Sequence, residues 1–315
     1  MNSLSFELDR YLSVRRSLGY DLSSTERVLR RFIAFADTQH AEFINAKLFL
    51  DWKKAFGHAS AVTWSARLGM VRLFAQWLHG MDARHEVPPQ SLIPCRQLRS
   101  KPYIYSPEEI GKLVYEAARL KSNNGLRAPT CATLFGLIAA TGLRISEAIA
   151  LDVGDVDLAA GILTIRRGKG GKERLVPVSE STRVELTAYA KERDRILGRQ
   201  DRSFFVADCG TRPTDCAVRY NFAVVCQNIG LRFAQRFHRH GRGPRIHDLR
   251  HTFAVRTMLN WYREGKDAGQ EMLRLTTYLG HVSPANTYWY IEAVPELLEL
   301  AAERSRSALE TEGGV

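Results

Sequence analysis

Apolar residues recur at helical spacing along most of this chain and at strand spacing in only one stretch. Near the N-terminus Val28, Leu29, Phe32 and Ile33 share one helical face, and Trp64, Leu68, Val71, Ala75 and Leu78 follow at intervals of 4, 3, 4 and 3. With 4–18 and 46–56, these stripes predict four short helices, and Ser23 and Glu26 stand three apart, the spacing of a capping box. Pro88, Pro89, Pro94 and Pro102 then interrupt the periodicity, so 88–104 reads as a linker. A new helix is predicted at Ser106-Pro107-Glu108-Glu109, with a serine N-cap, proline in the first turn and acids against the positive end of the dipole. Residues 161–166 and 174–178 are β-prone and flank Gly168-Lys169-Gly170-Gly171-Lys172, which predicts a hairpin with lysines at its tip. The expected architecture is mainly α: a helical bundle over 1–87, the linker, a mixed but mostly helical domain over 105–304 with a small β-sheet, and a polar tail over 305–315 that frays.

Charge sharpens this picture. The formal net charge is +11 and the pI about 9.6, which favours a polyanionic partner, because each neutralised phosphate releases a condensed counterion. Between Leu231 and Arg250 there are six arginines (Arg232, Arg236, Arg239, Arg242, Arg245, Arg250) against one acid, Asp248. Arginine rather than lysine suits phosphate, since its fork binds two oxygens at once. Polar faces of the N-terminal helices carry Arg15, Arg16, Arg27, Arg30, Arg31, Lys53, Lys54, Arg67 and Arg72, so this unit too is expected to touch double-stranded DNA. The five cysteines form no Cys-x-x-Cys pair and are read as reduced thiols. With no secretory signal and no apolar run approaching the roughly 18 residues of a membrane span, the expectation is a cytoplasmic protein with no membrane partner.

Cleaving DNA without hydrolysis requires a nucleophile that keeps the bond energy in a covalent link, cationic donors for a pentacoordinate phosphate, and an acid for the departing oxygen. Tyrosine, arginine, and lysine or histidine are the side chains for these tasks. Two arginines can stabilise the charge that a divalent metal stabilises in other phosphoryl-transfer enzymes, so neither metal nor cofactor is called for. Asp152, Asp155 and Asp157 read as a polar turn, and His247 and His251, four apart, have no third metal ligand at hand. Singly, Arg144 reads as a surface partner of Glu147, and Tyr290, beside Tyr288 and Trp289, as a packed aromatic.

Four words occur in order: Ala140-Thr141-Gly142-Leu143-Arg144-Ile145-Ser146-Glu147, then Gly168-Lys169-Gly170-Gly171-Lys172-Glu173-Arg174-Leu175-Val176-Pro177, then His247-Asp248-Leu249-Arg250-His251-Thr252-Phe253-Ala254, then Tyr278-Leu279-Gly280-His281. Through these words the C-terminal ~200 residues resemble the catalytic domain of the tyrosine recombinases, the phage integrase family, with most likeness to its Xer-like and transposon-borne branch. The resemblance implies a SAM-like, core-binding helical domain at the N-terminus. It implies that Arg144 and Arg250 grip the scissile phosphate, that His247 donates to it or manages protons, and that His281 bonds the same phosphate. Lys169 matches the general acid for the leaving 5′ oxygen, in preference to Lys172. Tyr290, nine residues after His281, matches the nucleophile that forms a 3′-phosphotyrosine, in preference to Tyr288, and Glu147 matches a supporting acid. The implied activity is site-specific recombination by a homo- or hetero-tetramer on paired sites, serving a mobile element. DNA relaxation as in type IB topoisomerases, or a DNA-binding accessory without catalysis, are the other readings. The stretch 260–271 is longer than in typical Xer proteins, and Ile291 and Glu292 replace the threonine and histidine common after the tyrosine. Finally, 292–305 reads as a helix with Val294, Leu297, Leu298 and Ala301 on one face, and the resemblance implies that it docks on a neighbouring subunit.

Overall fold

The computed structural model of the chain describes residues 4–95, 101–166, 173–198, 201–235, 238–280, 283, 287–290, 295–300 and 302. These fall into two compact units, Met1–Ser100 and Lys101–Val315.

In the first unit the four apolar stripes become α1 (Leu4–Ser17), α2 (Ser23–Thr38), α3 (Ala46–Ala55) and α4 (Ala61–His79). Their core is aromatic: Trp52 and Trp64 meet edge to face with centroids 5.2 Å apart, and Phe32 lies 5.2 Å from Trp52. Asn45 and Ser60 cap α3 and α4, accepting the amides of Leu48 and Thr63. The capping box expected at Ser23 and Glu26 does not form. Leu22 takes the N-cap position without a side-chain bond, and the Glu26 carboxylate accepts from Arg16 and Arg30, because two charge-assisted bonds outweigh one neutral amide. Within 88–104, Ile93 is buried in this aromatic core and Leu92 packs against it.

Near the start of the second unit the Tyr105 amide donates to Thr252 Oγ1 at 3.0 Å. Then come α5 (Pro107–Ala117), α6 (Arg127–Thr141), α7 (Ile145–Ala150), β1 (Val156–Asp157), β2 (Ile162–Ile165), β3 (Arg174–Pro177), α8 (Glu180–Leu197), α9 (Asp215–Asn228), β4 (Phe233–Gln235), β5 (His238–Arg242), α10 (Ile246–Arg263) and α11 (Ala268–Leu279). Ser106 and Glu109 form the predicted capping box at the start of α5. β1, β2 and β3 make an antiparallel sheet in that order, with Ile165 opposite Arg174 beside the hairpin tip. The tip itself, with Lys169 and Lys172, lies outside the described residues. The apolar α6 runs through the core, with Leu134, Phe135, Leu137 and Ile138 buried.

Within the arginine-rich stretch the structure has a two-stranded ribbon, β4 paired antiparallel with β5, which lies outside the two strands the sequence predicted. β-Branched residues are lacking there, which removes the usual strand signal. Asp152 pairs with Arg202 and Arg212, and Asp155 with Arg166, so this aspartate group is the polar turn expected. Among the described residues, no cluster suited to a metal ion occurs and no helix is long and apolar enough to cross a membrane. A second cluster joins α10 and α11 to Tyr290 and Leu297. Leu297 is therefore buried within its own chain, whereas Leu298 is exposed and Val294 and Ala301 lie outside the described residues.

Candidate active site

Three guanidiniums converge on the C-terminal end of α11. Helix ends leave carbonyls without intrahelical partners, and the dipole makes that end attractive to cations. Here three consecutive carbonyls are used: Tyr278 O accepts from Arg174 Nε at 2.8 Å, Leu279 O from Arg250 Nη2 at 2.7 Å, and Gly280 O from Arg144 Nη2 at 3.0 Å. Gly280 ends the helix with φ +63°.

A second helix end holds Arg250 from the other side. α6 stops at Gly142, also left-handed at φ +63°, and its carbonyl accepts from Arg250 Nη1 at 2.7 Å. Only glycine fits: a Cβ there would lie 2.6 Å from Phe253 Cδ1. The Thr141-Gly142-Leu143-Arg144 word is thus a helix stop that supplies a carbonyl to one arginine and, two residues later, the other arginine itself.

Glu147 binds the set together. From α7 its Oε1 accepts from Arg144 Nη1 at 2.6 Å, and its two oxygens accept from Arg174 Nη1 and Nη2 at 3.1 and 2.8 Å, a forked pair. Arg250 Nη1 stands 4.0 Å from Oε2. Burial alone would raise the Glu147 pKa, but the Arg174 hydrogen bonds, the Arg144 backbone N–H and the charges of both arginines bring it down to about 2. Arg250, 1% exposed, is shifted the opposite way for a cation: desolvation first, then repulsion from Arg144, lower it to about 10. Arg250 therefore stays protonated at neutral pH. Three guanidiniums against one carboxylate leave a surplus of positive charge that an anion would relieve.

His247 lies one turn before Arg250 on α10. By surface area it is exposed, yet the groups packed around its ring desolvate it, and the charge of Arg250 then adds to this; together they hold its pKa down to about 4. It is neutral in the DNA-free chain at pH 7. Its ring meets that of His251 edge to face, centroids 4.6 Å apart.

Tyr290 lies in the helical turn 287–290, which is tied to α11 by a buried 3.0 Å hydrogen bond between Thr276 and Thr287. Its side chain is 2% exposed, while Tyr288 is 49% exposed. The Tyr290 hydroxyl is 2.8 Å from His251 Nδ1, and the tyrosine lies near enough to Arg250 to act on its ionisation.

The structure thus links Arg144, Glu147 and Arg250 by direct contacts and sets His247 and Tyr290 around them. Lys169 and His281 lie outside the described residues, although His281 directly follows Gly280. Sequence reading had no role for Arg174 and considered His251 only as a metal ligand beside His247. Arg174 stood inside a quoted word, but its partners are 27 and 104 positions away; the partner of His251 is 39 away.

Residues 107–296 match the model of the phage integrase family. The chain is 38% identical over 309 residues to the integrase/recombinase-type protein y4rB of Sinorhizobium fredii, covering 96% of this chain and 97% of that protein. It is 26% identical over 287 residues to the tyrosine recombinase XerC of Serratia marcescens, covering 90% and 86%. Among solved structures, the Tn1549 transposon integrase in complex with transposon right end DNA aligns with TM-score 0.67 at 16% identity, over 96% of this chain and 99% of that one. A lambda integrase tetramer bound to a Holliday junction aligns with TM-score 0.61 at 15% identity, over 90% and 79%. The structural likenesses define the class, the tyrosine recombinase fold. The chain belongs to the phage integrase family.

Proposed function

We propose that this chain is a site-specific recombinase of a mobile element, which cuts and rejoins DNA through Tyr290. The observation that carries this reading is the suspension of Arg144 and Arg250 from consecutive carbonyls of one helix end, with the Tyr290 hydroxyl 2.8 Å from His251, the residue after Arg250. A guanidinium has five N–H donors, so two bonds to the scaffold leave capacity for two phosphate oxygens. Because the arginines are positioned before DNA arrives, the pentacoordinate phosphate meets charge that needs no reorganisation.

In this reading Tyr290 attacks the scissile phosphorus, giving a 3′-phosphotyrosine and a free 5′ hydroxyl. Lys169 protonates the leaving 5′ oxygen, His281 bonds the phosphate, and His247 donates to it after a phosphate has raised its pKa. Glu147 and Arg174 hold the arginines in place. The guanidiniums take the place of a metal in charge stabilisation, and DNA is the partner through the basic faces of both units. Attack by the 5′ hydroxyl of a second duplex then exchanges strands, within a tetramer of this chain or of this chain with a related recombinase.

The relatives support a recombinase over a relaxing enzyme, and the transposon integrase supports a mobile element. Incubation with paired copies of the element's ends tests the choice. Junctions and recombinants are the predicted products; covalent cleavage that yields only relaxed circles, even with a related recombinase supplied, would assign the chain to relaxation.

A further inference from the structure

A tyrosine hydroxyl with an ordinary pKa of about 10 is a weak nucleophile at neutral pH unless a base takes its proton during attack. Of the two histidines on this face of α10, His247 stands beside the arginines and is assigned to the phosphate. His251 is placed to be that base: Nδ1 is 2.8 Å from the Tyr290 hydroxyl, inside the reach required of a general base. Both partners are held firmly. His251 follows Arg250 on α10, its ring packed edge to face by Trp289 at 5.8 Å and by His247 at 4.6 Å. Tyr290 sits on the turn anchored by Thr287, and its ring centroid is 5.4 Å from that of His251. A side chain that is 2% exposed has poor access to bulk water as an alternative acceptor.

We propose that His251 is a catalytic residue, the general base for Tyr290. The inference rests on the reading of Tyr290 as nucleophile. As Oη forms its bond to phosphorus and the bond from phosphorus to the 5′ oxygen breaks, the Oη proton passes to His251 Nδ1, giving an imidazolium. The 5′ oxygen takes its proton separately, from the donor assigned as Lys169. On rejoining, the 5′ hydroxyl attacks the phosphotyrosine and the imidazolium returns its proton to the departing Tyr290 oxygen. His251 must therefore start as the tautomer with hydrogen on Nε2 and a lone pair on Nδ1. Its location also divides the labour of the two histidines: His247 stands beside the arginines that await phosphate, and His251 beside the nucleophile.

The test is single-turnover cleavage of a nicked suicide duplex by wild type, His251→Asn and His251→Gln, with the adduct mapped by peptide sequencing. Asparagine puts an acceptor near the Nδ1 position yet cannot hold a proton as a base. Losing general-base catalysis lowers the rate about 10²- to 10³-fold in both variants with DNA binding unchanged. The residual rate then rises about tenfold per pH unit as the phenolate forms unaided, a steeper profile than wild type. Asparagine cleaving within about threefold of wild type, or slow variants that keep the wild-type pH profile, overturn the base and leave His251 a positioning residue. A wild-type adduct absent from Tyr290 instead overturns the nucleophile itself, and this inference with it. Equal thermal transitions of the three proteins show that each rate belongs to a folded chain.

Discussion

Leu279 and Gly280 are neighbours at the end of α11, and their carbonyls hold different arginines, Arg250 at 2.7 Å and Arg144 at 3.0 Å. Two residues 106 positions apart in sequence are thereby fixed relative to one another by two consecutive carbonyls of one helix end. The arrangement also explains why the Leu279-Gly280-His281 word is what it is: glycine ends the helix, the two carbonyls before His281 orient cations, and the histidine comes next.

Glu147 ties acid stability to this network. Its carboxyl, held at about 2 against an ordinary 4.5, favours folding fully above pH 4.5 and loses that contribution as pH falls toward 2. The amount is about 3 kcal/mol, at roughly 1.4 kcal/mol per pH unit. Denaturant unfolding of Glu147→Gln across this range should show a flatter pH dependence than wild type. At neutral pH it should be less stable by about 3 kcal/mol, since Arg144 and Arg174 lose their counter-charge.

Gly142→Ala should damage fold and site together. A left-handed alanine costs about 1–2 kcal/mol, and crowding Phe253 about as much again. Denaturant unfolding should report a loss of roughly 2–4 kcal/mol. The displaced carbonyl should release Arg250 and slow cleavage further than the lost stability explains.

His247, at about 4 in the free chain, is neutral at pH 5.5, whereas an unfolded histidine is mostly protonated there. The folded value lies below the ordinary 6.5, so His247 lowers stability progressively as pH falls from 6.5 toward 4. A phosphate beside it should reverse the shift and make DNA binding take up a proton near that pH. Calorimetry in two buffers of different ionisation enthalpy should register the uptake in wild type, and its absence in His247→Asn.

Because guanidiniums are assigned the charge stabilisation, a chelator in excess over all divalent ions should leave the cleavage rate unchanged. Loss of cleavage on chelation, restored by a metal, would remove Arg144 and Arg250 from that role.

The parts of this molecule legible in its sequence are those set by local spacing. The stripes at 28–33 and 64–78 became α2 and α4, and the Ser106 box formed: Glu109 Oε2 accepts from the N-cap amide while its Oε1 accepts from the neutral Tyr103 hydroxyl. The same box failed at Ser23 because Arg16, ten positions from Glu26, reaches its carboxylate through the fold. Arg174 and His251 were hidden for a like reason: each is defined by a partner that only tertiary packing delivers, Glu147 across from β3 and Tyr290 across from α10. The β4–β5 ribbon escaped notice because its strands lack β-branched side chains.

The central claim is that Tyr290 is the group that becomes joined to DNA. A suicide duplex carrying the element's end, nicked so that the cut strand diffuses away, should trap wild type as a covalent complex whose DNA-bearing peptide contains Tyr290. Tyr290→Phe should bind the duplex as well and trap none. An adduct that persists in Tyr290→Phe, or one that maps to Tyr288, would contradict the account.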